Sequence, residues 1–142
     1  PGKPNLAASS FASGIIREPL NGVPAICPVG RDAKIWLLSP GKVIESLIHA
    51  YELPSSAWGV NRVVNLPGNT AVVGDMIDTL RRIAGDKVAD LIEIKPEPRI
   101  EALVNSWPAR FKNDRALKMG FSADKDVESI IRGYIDDQGI KV

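Results

Sequence analysis

Three groups of side chains in this 142-residue chain have types and spacing that could meet a ligand. The first is Pro1-Gly2-Lys3-Pro4-Asn5, followed closely by Ser9 and Ser10. A rigid Pro/Gly segment leads there into a helix start, whose free N–H groups favour anions. Read without a ligand, the same residues are a frayed terminus. The second group is Lys34-Ile35-Trp36, a cation and an aromatic ring presented where a strand begins. Its competing reading, which residue type favours, is a surface lysine beside a core tryptophan. The third is Arg110, Lys112, Arg115 and Lys118, with Phe111 and Asp114 among them. Such a cluster could face a nucleic acid. With 18 Lys+Arg against 17 Asp+Glu and a net charge of +1, however, it reads better as a solvated helix face with local ion pairs.

Other chemistry lacks the residues it needs. No G-x-G-x-x-G turn and no P-loop occurs, so the sequence offers no glycine-rich cradle for a pyrophosphate. The Tyr-x-x-x-Lys pair, in which a lysine lowers a tyrosine's pKa for proton transfer, is missing: four residues after Tyr51 stands Ser55, and four after Tyr134 stands Gln138. The single histidine, His49, falls on the polar side of a helical pattern and reads as a solvated surface residue. The single cysteine, Cys27, lies in a short apolar run and reads as a buried, inert thiol. One cysteine and one histidine leave no ordinary metal site. Read from these residues, the chain holds no catalytic group and no metal ligand of a familiar type.

The elements that must position these residues follow from periodicity. Length and a 44% apolar, 25% charged composition suit one α/β domain with its own core, of mixed helices and a few short strands. No apolar run approaches the ~18 residues of a membrane span, and no signal peptide is evident. A first helix should start at Ser9 or Ser10 and bury Phe11, Ile15 and Ile16 before ending at Pro19 to Gly22. Ala25 to Val29 and Lys34 to Leu38 read as strands joined by a turn at Gly30-Arg31-Asp32. A helix over 40–52 carries Val43, Ile44, Leu47, Ile48 and Tyr51 as one apolar stripe, with Lys42, Glu45, His49 and Glu52 facing away. Arg62 to Leu66 reads as a buried strand closed by Pro67-Gly68-Asn69. A helix from Val73 to Gly85, a strand from Leu91 to Ile94, short helices near 99–106 and 113–118, and a final helix from Asp124 complete the pattern.

The order of these segments resembles a known family. Pro1-Gly2-Lys3-Pro4-Asn5, Ala8-Ser9-Ser10-Phe11, the run from Ser13 to Gly22, Trp36 with Ser39-Pro40, Asn65-Leu66-Pro67-Gly68, and Arg115 to Phe121 together resemble the extended short-chain dehydrogenases of the NAD-dependent epimerase/dehydratase family. Within it they are most similar to the D-erythronate dehydrogenase group. The resemblance implies that residues 1–142 are the C-terminal substrate-binding part of a Rossmann-type parent, preceded in that parent by a cofactor-binding N-terminal half. The chain's start at Pro1 rather than Met, its missing glycine turn and its missing Tyr-Lys pair would then have one explanation. NAD or NADP would be bound mainly by that other half, with Pro1 and Gly2 against the nicotinamide. Lys3, Asn5, Ser9, Ser10, Lys34 and Trp36 would face the substrate. Lys34 stands where members of the group usually carry Arg, whose planar fork grips a carboxylate with two hydrogen bonds. The implied parent is a cytoplasmic homodimer that oxidises a small sugar acid, with no nucleic-acid or membrane partner, and the chain alone would be inactive. Two other readings stay open: half of a nucleotide-sugar epimerase or dehydratase, and a non-catalytic binding module.

Overall fold

The structure is a computed structural model and describes residues 7–142. Its centre is an amphipathic helix, α4 (Val73–Ala84), whose Val73, Met76, Ile77 and Leu80 are buried at helical spacing. Against it pack α1 (Ser10–Leu20) and α8 (Val127–Gln138). The first contributes Phe11, Ile15, Ile16 and Leu20, and the second Ile131 and Ile135. The start of α8 is fixed by a reciprocal cap in which Asp126 accepts from the Ser129 backbone N–H and the Ser129 hydroxyl accepts from that of Asp126. At its far end Gly139 takes the left-handed conformation that closes a helix most easily on glycine.

The strands form two separate two-stranded sheets. β1 (Ala25–Cys27) pairs in parallel with β4 (Ile92–Ile94), while β2 (Lys34–Leu37) pairs antiparallel with β3 (Asn69–Val72). The first correction is one of length: the strands expected to reach Val29 and Leu38 end at Cys27 and Leu37. The turn expected at Gly30-Arg31-Asp32 does join them, Ala33 N–H donating to the Gly30 carbonyl at 3.2 Å, and each pairs with a distant strand rather than with the other. Their alternation decides it: Ala25 and Cys27 point into the core beneath α1, and Ile35 points inward beside Ala71. The segment between them is used instead to receive α4, because Val73 N–H donates to Ala33 and Gly74 N–H to Arg31, at 2.9 and 2.7 Å.

A second correction concerns Arg62 to Leu66, which has the β-branched pattern of a strand but no strand partner among the described residues. Pairing begins only at Asn69, after Pro67 has removed a donor. The remaining elements are α2 (Pro40–Glu52), one-turn helices α3 (Ser55–Trp58) and α5 (Asp86–Ala89), and two short helices, α6 (Pro98–Asn105) and α7 (Asp114–Lys118).

The third correction is the orientation of α2. Its limits match the expected helix, and Ser39 caps it by accepting from Lys42 N–H at 3.1 Å. The helix is nevertheless turned with its polar edge inward. Ser46 is buried and His49 half-buried, whereas Val43, Ile44, Leu47, Ile48 and Tyr51 are exposed. Polar contacts hold this orientation: His49 Nε2 lies 2.8 Å from the Met119 carbonyl, its ring meets Phe121 edge-on, and Lys42 donates to Ser122. His49 is thus no solvated surface residue. Leaving a Leu or Ile side chain in water forgoes about 1.5–3 kcal/mol relative to full burial. The stripe is accordingly a cost in this chain taken alone.

Candidate functional site

The outward face of the β2–β3 sheet carries one of the sequence-derived groups. Strand alternation puts Lys34 and Trp36 on that face, opposite Val72 and Thr70 respectively. Lys34 is exposed and makes no hydrogen bond or ion pair among the described residues. Trp36 is half-buried. Phe111 meets its indole edge-on, with ring centroids 5.6 Å apart, and Gly68 lies against the other side so closely that a Cβ there would fall 2.7 Å from the indole nitrogen and 2.6 Å from the Leu37 carbonyl. Thr70 donates to the Ala109 carbonyl at 2.7 Å, which ties the segment bearing Phe111 to the sheet. The arrangement is a fixed aromatic wall beside a free cation. Such a pair suits a small polar anion, which the ammonium attracts as a point charge and the ring confines.

Ser9 and Ser10 sit elsewhere, at the start of α1. Ser9 is the N-cap by position, but its side chain makes no capping hydrogen bond, contrary to the expectation. Ser10 lines an open groove of about 490 Å³ with Phe11, Gly14, Glu18, Ala25 and Ile26. Neither Lys34 nor Trp36 lines it, so the described residues do not unite the two groups in one cavity. Glu18 receives a 3.0 Å hydrogen bond from Arg17 on one carboxylate oxygen, while the other is buried with no partner among the described residues. A carboxylate whose charge is already paired with Arg17, at a largely apolar groove, offers a pyrophosphate no attraction. With no glycine turn entering α1, these residues do not form a dinucleotide cradle. Pro1, Gly2, Lys3 and Asn5 lie outside the described residues.

The basic cluster is not one surface device. Arg115 spends its guanidinium on the carbonyls of Trp58, Asn61 and Val63, holding the 58–63 loop against α7, while Arg110, Lys112 and Lys118 are exposed. That role differs from the expected local ion pairs, and no spacing rule shows it, because the partners lie more than fifty residues away. In the sequence Gly68 and Phe111 read only as a turn residue and a member of the basic cluster, and Thr70 is not singled out at all; nothing there shows that they gather around Trp36. Cys27 is buried as expected, its thiol pushed up by burial and donating to the Val29 carbonyl. Among the described residues no group of three His, Cys, Asp or Glu side chains comes together, and no helix is long and apolar enough to cross a membrane.

The same fold occurs in solved structures. A structure described as a nucleoside-diphosphate-sugar epimerase from Agrobacterium tumefaciens matches with a TM-score of 0.94 and 39% identity, over 99% of this chain and 42% of that one. A GalE-like L-threonine dehydrogenase from Cupriavidus necator matches in fold with a TM-score of 0.80 at 16% identity, over 96% of this chain and 44% of that one. The chain thus has an α/β fold that also occurs in solved structures described as an epimerase and a dehydrogenase, of each of which it covers less than half. Its sequence is similar to D-erythronate dehydrogenases: 49% identical over 140 residues to the one from Cupriavidus necator, and 40% over 136 residues to the one from Haemophilus influenzae. The matches cover 99% and 96% of this chain but 43% of each relative, so the chain spans less than half the length of the curated relatives it matches. No protein-family model matches the sequence.

Proposed function

We propose that the chain is the C-terminal, substrate-binding portion of a dehydrogenase that oxidises a small sugar acid of the D-erythronate kind, with NAD or NADP held mainly by an N-terminal portion. The observation that carries this reading is the identity to two D-erythronate dehydrogenases along almost the entire chain. When bound, NAD or NADP would supply the acceptor for the hydride from a hydroxyl-bearing carbon beside the carboxylate, and a base of the N-terminal portion would take the hydroxyl proton. This chain's own residues position the acid and exclude water. Lys34 attracts the carboxylate, and Trp36, braced by Phe111 and Gly68, limits the length of the carbon chain. Ser9 and Ser10 offer hydroxyls to the substrate, Lys3 and Asn5 further polar contacts, and Pro1 with Gly2 the backbone beside the nicotinamide. The parent on this reading is a cytoplasmic homodimer.

The second reading is half of a nucleotide-sugar epimerase, favoured by the description of the Agrobacterium tumefaciens structure. The test joins these 142 residues, as one polypeptide, to the part of the Cupriavidus necator relative that they do not cover. Thermal-shift titration should then find stabilisation by four-carbon sugar acids and none by sugar nucleotides. The reverse pattern selects the epimerase, and no response to either in the presence of NAD leaves the binding module.

A further inference from the structure

We infer that the Trp36 indole N–H is a specificity-determining donor on the outward face of β2, and that it reads a hydroxyl at the end of the acid remote from the carboxylate. The inference rests on the reading that this face meets a small sugar acid, and adds which acids it takes. Trp36 is half-buried, yet its indole nitrogen has no acceptor within hydrogen-bonding distance among the described residues. An enclosed tryptophan ordinarily gives that N–H a partner. Nor is the nitrogen sealed in, since the one buried side-chain oxygen or nitrogen left without a partner among the described residues belongs to Glu18. The Trp36 donor is therefore unspent and open to a ligand. Thr70, directly across on β3, gives its own hydroxyl proton to the Ala109 carbonyl at 2.7 Å. Phe111 and Gly68 hold the ring from two sides, so the donor has a fixed position before any ligand arrives.

The lysine two residues earlier shows why a directional contact is needed at the far end. An ammonium attracts a carboxylate as a point charge and does not fix its plane, unlike the two-pronged grip of a guanidinium. With Lys34 alone the acid would pivot about its carboxylate, and no one carbon would be held in place. A hydrogen bond at the other end removes that freedom. The spacing suits it, because residues i and i+2 of a strand stand on one face about 6.6 Å apart. That separation is comparable to the span from carboxylate to terminal hydroxyl in an extended four-carbon acid. A terminal methyl group in place of the hydroxyl would cover the indole N–H and leave it without an acceptor, which is the costly kind of mismatch. Limiting the chain length depends on the bulk of the ring, whereas reading the hydroxyl depends on one hydrogen.

The experiment measures NAD reduction by the joined polypeptide described above, with D-erythronate and with the analogue that carries a methyl group in place of its terminal hydroxyl, before and after Trp36→Phe. That substitution keeps an aromatic ring and deletes the N–H. The expected kcat/KM for D-erythronate is at least about tenfold above that for the analogue. In Trp36→Phe it should fall about tenfold, while the value for the analogue stays within about twofold. A ring that only braces the site would lose equally on both acids. A second measurement uses the unsubstituted joined polypeptide with isotope-labelled tryptophan, in which the Trp36 indole N–H resonance is assigned by its contact with the Phe111 ring. At saturation it should move further with D-erythronate than with the analogue. This measurement, like the comparison of the two acids before substitution, holds even where Trp36→Phe fails to fold. Equal kcat/KM for the two acids, an equal loss on both in Trp36→Phe, or a resonance that moves alike with both overturns the inference and leaves the dehydrogenase reading standing. Neither binding nor oxidation of any sugar acid, by a folded joined polypeptide that binds NAD, removes both.

Discussion

Gly68 and Lys34 are the residues through which the site can be tested one side chain at a time. A Cβ at Gly68 would overlap both the Leu37 carbonyl and the Trp36 indole, and one of these is backbone that cannot swing aside. Gly68→Val should therefore cost about 1–3 kcal/mol of stability, read as a lower urea midpoint, and should shift the tryptophan emission as Trp36 is displaced. Unchanged stability would place the strand and the turn further apart than described. The Lys34 side chain is exposed and bonded to nothing described, so Lys34→Ala should leave the stability read by urea unfolding within about 0.5 kcal/mol of the parent value. In the joined polypeptide it should raise KM for a sugar acid about tenfold, a loss of about 1.4 kcal/mol in binding, with a smaller effect on kcat. Lys34→Arg should restore most of that affinity. Both residues show how far the site was legible. Lys34 and Trp36 could be named from type and position, but Gly68 and Phe111 reach Trp36 from 32 and 75 residues further along the chain, separations that local patterns do not register.

Elements were legible where one principle acts alone. The apolar spacing of Val73, Ile77 and Leu80 and the stop at Gly85 define α4, and Pro40 with Ser39 defines where α2 begins. Periodicity states which residues share a face, however, and is silent on which face turns inward. For α2 the specific contacts of His49 and Lys42 with the 119–122 turn decide it against the apolar stripe. Pairing was illegible for a similar reason: β1 and β2 are adjacent in sequence, yet their partners are fixed by where α1 and α4 sit. The cap of α8 is the element-scale feature with a defined cost. Asp126→Ala removes the side-chain half of a reciprocal pair and should lower stability by about 1 kcal/mol, measured by urea unfolding, with Asp126→Asn recovering most of it. No loss would mean that tertiary contacts of Ile131 and Ile135 alone set the helix start.

At the scale of the molecule, the core and the uncovered surface lead to the same description. Residues of α1, α4 and α8 close a core around β1 and β2, so the chain has the interior of an independent domain. Among the described residues it also carries an apolar helix face and a strand-patterned segment without strand pairing, which an independent domain would bury or dispense with. Relatives more than twice as long, and an Agrobacterium tumefaciens structure superposing at a TM-score of 0.94 over 42% of its length, support the function proposed above. On the proposed function, substrate binding in this part and cofactor binding in another would make activity a property of the two together. The most direct measurement is NADH formation with D-erythronate and NAD, for the 142 residues alone and for the same residues joined to the uncovered part of the Cupriavidus necator relative. The expected result is no NADH from the chain alone and sustained turnover from the joined polypeptide. Turnover by the 142 residues alone, or none from a folded joined polypeptide that binds NAD, would contradict the account.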